Sequence, residues 1–179
     1  MGVDITAYSK LELTEPHDPD DACYDDEPLH IEAFVYVAHR RSGDGLAGLD
    51  DSYDGVLGGR HYAVTADTVE LEICSISYSG YGYVRRELCW AVHGVEIEVM
   101  WGDESRRQDP FMDLLYFADN AGTIGPVAAA RLARDFSDET LRQRFIAISD
   151  VPGFPAGDWW DRWRRGAELA ADGGLIRFH

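Results

Sequence analysis

An α+β architecture, an antiparallel sheet with helices packed on one side, follows from three features of the sequence. Apolar and polar residues alternate with period two through much of the first half, the mark of half-buried strands. Beyond residue 79 the dominant apolar spacing becomes three and four residues, as helices require. Residues 111–136 read as helix, tight polar turn, helix, a central hairpin with one apolar stripe on each arm. With 179 residues and 45% hydrophobic content the chain suits one globular domain, 1–179, large enough to bury a core.

Val3, Ile5 and Ala7, then Leu11 and Leu13, alternate with polar neighbours and predict a strand that enters the sheet at once. Residues 15–28 form a proline-punctuated acidic loop whose seven carboxylates offer hard oxygen donors, although a solvated loop explains them. Residues 30–38 resume the alternation, with Ile31, Ala33, Val35 and Val37 on one face and Phe34 and Tyr36 on the other; two apolar faces predict a central strand. Residues 61–77 read as one bent strand or two short ones, broken near Asp67.

Residues 79–92 change period. Tyr81, Val84, Leu88 and Ala91 or Val92 predict a helix capped by Ser79, with Arg85, Arg86 and Glu87 on the wet side and Gly82 weakening it. Val95, Ile97 and Val99 alternate with Glu96 and Glu98 and predict a short strand. In the hairpin, Phe111, Leu114, Leu115 and Ala118 face inward on one arm, and Ile124, Ala128, Leu132 and Phe136 on the other. Asp119, Asn120, Gly122, Thr123 and Gly125 supply the bend, and Pro126 fits a first helical turn. Ser137 or Asp138 caps a helix whose Leu141, Phe145 and Ile148 face inward, ended by residues 151–153. A last helix starts near Asp158, with Trp160, Trp163, Ala167 and Ala170 as its apolar face. Gly173 and Gly174 end it, and residues 175–178 form a final strand.

Two motif look-alikes dissolve in context. Gly43, Gly45 and Gly48 spell GxGxxG, but no helix pattern follows to receive a pyrophosphate, and Asp50, Asp51 and Asp54 repel one. Asp50, Ser52, Asp54, Gly55 and Leu57 copy the start of a calcium loop. His61 stands where a bidentate glutamate belongs, so Asp50, Ser52 and Asp54 make only a weak metal candidate.

A net charge of -17 opposes direct binding to nucleic acid or anionic membranes, while leaving open that the chain imitates nucleic acid and occupies a basic protein. Three cysteines, Cys23, Cys74 and Cys89, lack metal-ligand spacing and point to a reducing cytoplasm. Neither a signal-like start nor an apolar run approaching ~18 residues is present.

SYSGY at residues 77–81 with VRREL at 84–88, FADNAGTIGP at 117–126 followed by residues 132–136, and the ending AADGGLIRFH together resemble an uncharacterised family of small cytoplasmic proteins encoded by tailed bacteriophages and prophages. The resemblance spans nearly the whole chain. The family's turn carries Cys and Glu before GTIGP, where this chain has Asn120 and Ala121, which removes a carboxylate that a metal role would need. The resemblance implies a viral or prophage gene acting on its host, and no established activity.

No catalytic constellation emerges. The histidines are scattered without HxH or HExxH pairs; Ser79 lacks the flanking glycines of a nucleophile elbow; turn formation and capping account for Asp113 and Asp119. The candidate ligand surface is Tyr78, Ser79, Tyr81, Tyr83, Arg85 and Arg86 with Asp119, Asn120 and Thr123: aromatics stack, arginines clamp anions, and N–H groups of Thr123 and Ile124 at a helix start welcome negative charge. The expected function is therefore non-enzymatic binding of a host protein or a small nucleotide-type anion, without cofactor, countering host defence. The alternatives are an acidic, nucleic-acid-mimicking inhibitor of a basic host protein and a hydrolase with a dispersed site.

Overall fold

A computed structural model describes residues 2–13, 34–37, 60–117, 122–149 and 154–179. The acidic loop, the GxGxxG glycines, the weak metal candidates Asp50, Ser52 and Asp54, the helix stop at 151–153, and the turn residues Asp119 and Asn120 lie outside the described residues.

The architecture is α+β. Strands β1 (Gly2–Tyr8), β2 (Glu12–Leu13), β3 (Phe34–Val37), β4 (Arg60–Ala63) and β5 (Glu70–Ser77) precede helices α1 (Tyr78–His93) and α2 (Ile97–Trp101). After a 3-10 turn at Glu104–Arg106 come α3 (Met112–Leu115), β6 (Gly122–Ile124), α4 (Pro126–Phe136), α5 (Glu139–Ile148), α6 (Ala156–Ala171) and β7 (Leu175–Phe178). The main sheet is antiparallel with order β5-β1-β7-β6; a second sheet has order β2-β4-β3.

Alternation along β1 and β7 sets the two faces. Val3, Ile5 and Ala7 with Ile176 and Phe178 are buried beneath the helices, whereas Tyr8 and Leu175 point the other way and pack with Tyr62, Leu11 and Val64. The register slips between Ile5, which faces Cys74, and Thr6, which faces Glu72, so Ile73 is an extra bulged residue. Ile73 presses on α6, where a Cβ on Gly166 would lie 2.6 Å from its Cγ1. Behind α6, Phe136 meets Phe111 and Trp160 edge-on at 4.7 and 4.9 Å and stacks on Trp163 at 5.8 Å. Such ring pairs contribute about 0.5–1.5 kcal/mol each beyond the area they bury.

Three sequence expectations need correcting. The hairpin's first arm is a single turn, Met112–Leu115, and β6 stands between it and α4, so Ile124 belongs to a strand. Phe111, Leu114 and Leu115 are nonetheless fully buried, because one turn satisfies an i, i+3, i+4 triplet as well as a long helix does. Gly122 admits β6: a Cβ there would come within 2.8 Å of the Phe117 ring. Residues 97–101 are helical instead of extended. Ile97 and Met100 are buried and Glu98 and Val99 exposed, since six residues carry too few periods to separate two from three and a half. The cap of α1 is Ser77, whose hydroxyl accepts from Gly80 N at 3.1 Å, because β5 runs directly into the helix. Among the described residues β3 pairs with β4.

Candidate functional site

The predicted site is divided by the sheet. Tyr81 is fully buried on the helix side, its ring edge-on to Phe178 at 5.7 Å, and has no open face on which a base can stack. Thr123 lies at the middle of β6, opposite Arg177 and flanked by Gly122 and Ile124. Since Ile124 joins the main core, Thr123 points to the other side of the sheet from Tyr81. Thr123 and Ile124 lie in strand β6, ahead of the first turn of α4, and both residues are buried, so their N–H groups form no exposed anion nest at a helix start. On Thr123's side, Arg177 faces Thr6, whose Oγ1 is 3.2 Å from His179 Nε2.

Arg85 is engaged within the fold. Its guanidinium donates to the Phe117 carbonyl and lies 5.2 Å from the Tyr81 ring centre and 5.9 Å from that of Trp101. Phe117 in turn stands 4.3 Å from Phe178, so the two predicted segments do meet, through packing at Phe117.

The outer stripe of α1 is exposed to solvent. Ser79, Tyr83, Arg86 and Trp90 recur at intervals of four, three and four and are all exposed, while Tyr78 is half-buried. Arg86 approaches Glu98 at 3.8 Å, joining this stripe to α2. Trp101 follows on α2, 41% exposed yet held in place by its indole N–H, which donates to the Leu115 carbonyl at 3.0 Å. Of seven exposed large hydrophobic residues among those described, Tyr83, Trp90, Val99 and Trp101 fall on these two helices, with Tyr83 and Trp90 seven residues apart on one stripe of α1. Sequence reasoning named Ser79, Tyr83 and Arg86 but passed over Trp90 and Trp101. Continuing the helical count one turn past Arg86 reaches Trp90; Trp101 was hidden by the mistaken strand.

The face is acidic as well as aromatic. Glu98 approaches Arg86 across the α1–α2 junction, and the Cys89 thiol donates to the carbonyl of Val95, the residue before Glu96, at 3.4 Å; burial pushes that thiol up to about 11, with Glu96 and Glu98 acting in the same direction and Arg106 against them. Burial, with Arg106 adding to it, holds His93 below the usual histidine range, against its Nε2 hydrogen bond to the Pro110 carbonyl at 3.0 Å and the charge of Asp109. Burial likewise lifts Cys74 to about 12. Among the described residues no group of three or more His, Cys, Asp and Glu is arranged to hold a metal, and no helix is long and apolar enough to cross a membrane. A depression of about 490 Å³ along α5 is lined by Glu139, Thr140, Gln143, Arg144 and Ala147, all from a single helix.

No protein-family model, curated protein or solved structure matches the chain.

Proposed function

We propose that this chain is a binding protein without catalytic turnover, which acts by occupying another protein through the outer face of α1 and α2. One observation carries the reading: Tyr83, Trp90 and Trp101 are exposed on two consecutive helices whose charged residues Arg86 and Glu98 approach each other at 3.8 Å. Trp, Tyr and Arg are the residue types over-represented among the anchors of protein interfaces, and a soluble protein rarely exposes several together without a use for them. The phage and prophage resemblance of the SYSGY, GTIGP and AADGG segments supports a bacterial host protein as the partner and interference with host defence as the purpose. Sequestration of a small nucleotide is the weaker branch, because it needs Tyr81 and Thr123 on one surface.

The test is affinity capture from bacterial lysate with the intact chain, Tyr83→Ala, Trp90→Ala and, as a control away from the face, Val127→Ala. A protein retained by the parent and Val127→Ala but lost from both aromatic variants is the expected result. Equal retention by all four, or a rise in melting temperature with a nucleotide and no captured protein, would sink the reading.

A further inference from the structure

Resting on that reading, we infer that the segment seated on the α1–α2 face is rich in lysine and arginine. Trp90 is 51% exposed, and an open indole is the best aromatic surface for a cation. Carboxylates lie on the same part of the molecule. Glu87 lies one turn earlier on α1, Glu96 follows Val95, whose carbonyl accepts from the Cys89 thiol at 3.4 Å, and Glu98 comes within 3.8 Å of Arg86, one turn before Trp90.

The cations nearby do not neutralise this group. Arg85 is bound to the Phe117 carbonyl, Arg106 is 3.5 Å from Asp103, and Arg86 approaches Glu98 through a pair more than half exposed on each side. Such a pair is weak and exchanges readily for a partner's charge. Glu87 and Glu96 take part in no ion pair among the described residues. A lysine or arginine laid over Trp90 covers the indole with its stem and carries its charged head to these carboxylates. The net charge of -17 draws a basic partner from a distance and repels a second copy of this chain or a nucleic acid.

A library of short random peptides, panned on the immobilised full chain, separates this inference from the reading beneath it. Peptides enriched in Lys and Arg over Asp and Glu are expected. Their affinity should fall about tenfold or more in Trp90→Ala, the loss of one interface anchor. It should fall severalfold in Glu87→Gln with Glu96→Gln, and scarcely in Glu70→Gln with Glu168→Gln, which removes the same charge elsewhere. Far-UV circular dichroism on each variant shows that it is folded. Enrichment of neutral or acidic peptides that still depend on Trp90 overturns the basic partner and keeps the binding face. Basic peptides held equally by both double variants and by Trp90→Ala show attraction to net charge alone and overturn the inference, as does enrichment of no peptide class.

Discussion

The backbone N–H of Phe111 donates to Oδ2 of Asp135 across 2.7 Å, and Phe111 makes this contact from a left-handed conformation, φ 64°. The side chain that completes this turn comes from the last turns of α4. A bulky residue is uncommon in that conformation, and it persists because Phe136 and Trp160 fix the Phe111 ring.

Asp135 makes that arrangement pH-dependent. Burial raises its pKa above 3.8, and Asp113 adds to the rise, against the Phe111 hydrogen bond, Arg134 and Arg131. The folded chain therefore holds the proton more tightly than the unfolded chain. This share of stability is complete below the unfolded value and is lost as pH climbs through the folded one. Asp135→Asn keeps an acceptor for Phe111 and does not titrate. In urea unfolding at increasing pH from about pH 4, the stability of the parent minus that of the variant should fall until pH has passed the folded value and then level off. A flat or rising difference contradicts the assignment.

Gly166 and Gly82 should respond oppositely to alanine. Gly166→Ala drives a methyl into Ile73 and should cost about 1–3 kcal/mol despite the better helix propensity. Most of that cost should vanish in an Ile73→Ala background, because the clash is pairwise. At Gly82 an added Cβ meets nothing within 4 Å, and Gly82→Ala should stabilise by about 0.5–1 kcal/mol. Denaturant midpoints for the four proteins and the parent decide both.

Asp113 and Arg131 form a two-pronged pair at 2.8 and 2.9 Å, with the carboxylate side chain 6% exposed. Arg131→Met leaves that carboxylate buried without its fork, and the expected loss is about 3 kcal/mol, read from urea unfolding. The double variant Arg131→Met with Asp113→Leu should recover much of it. If the double variant is no better than the single one, the loss is due to packing of the arginine stem.

Trp90 and Trp101 should separate stability from recognition. Trp90→Ala removes an exposed ring and should change stability by less than about 0.5 kcal/mol. Trp101→Ala abandons the hydrogen bond to Leu115 and the contact under Arg85, and should cost about 1–2 kcal/mol. Thermal melts followed by circular dichroism distinguish them.

Much of the fold could be read from the chain. Trp160, Trp163, Ala167 and Ala170 were placed inward by spacing alone, and each is fully buried. β1 and β7 declared themselves by alternation and by Gly173 and Gly174 before β7. Short elements were less legible. Residues 95–100 fit two periods, and GTI at residues 122–124 reads as a turn until β7 lies beside it to pair with. The site was half legible for a related reason. Tyr81 and Tyr83 are two residues apart on a helix, about 200° around its axis, so one is core and the other surface. Treating the tyrosines as a group concealed that difference.

β7 lies between β1 and β6, and this order governs how the protein is made. Residues 2–8 can pair with β5 early in translation, but their other edge stays open until residues 175–178 leave the ribosome. A nascent chain thus carries an unsealed sheet, with Val3 and Ile5 uncovered, until α6 and β7 emerge. Closure over so long a loop belongs to the slow end of single-domain folding, where sticky strand edges make holding chaperones matter most.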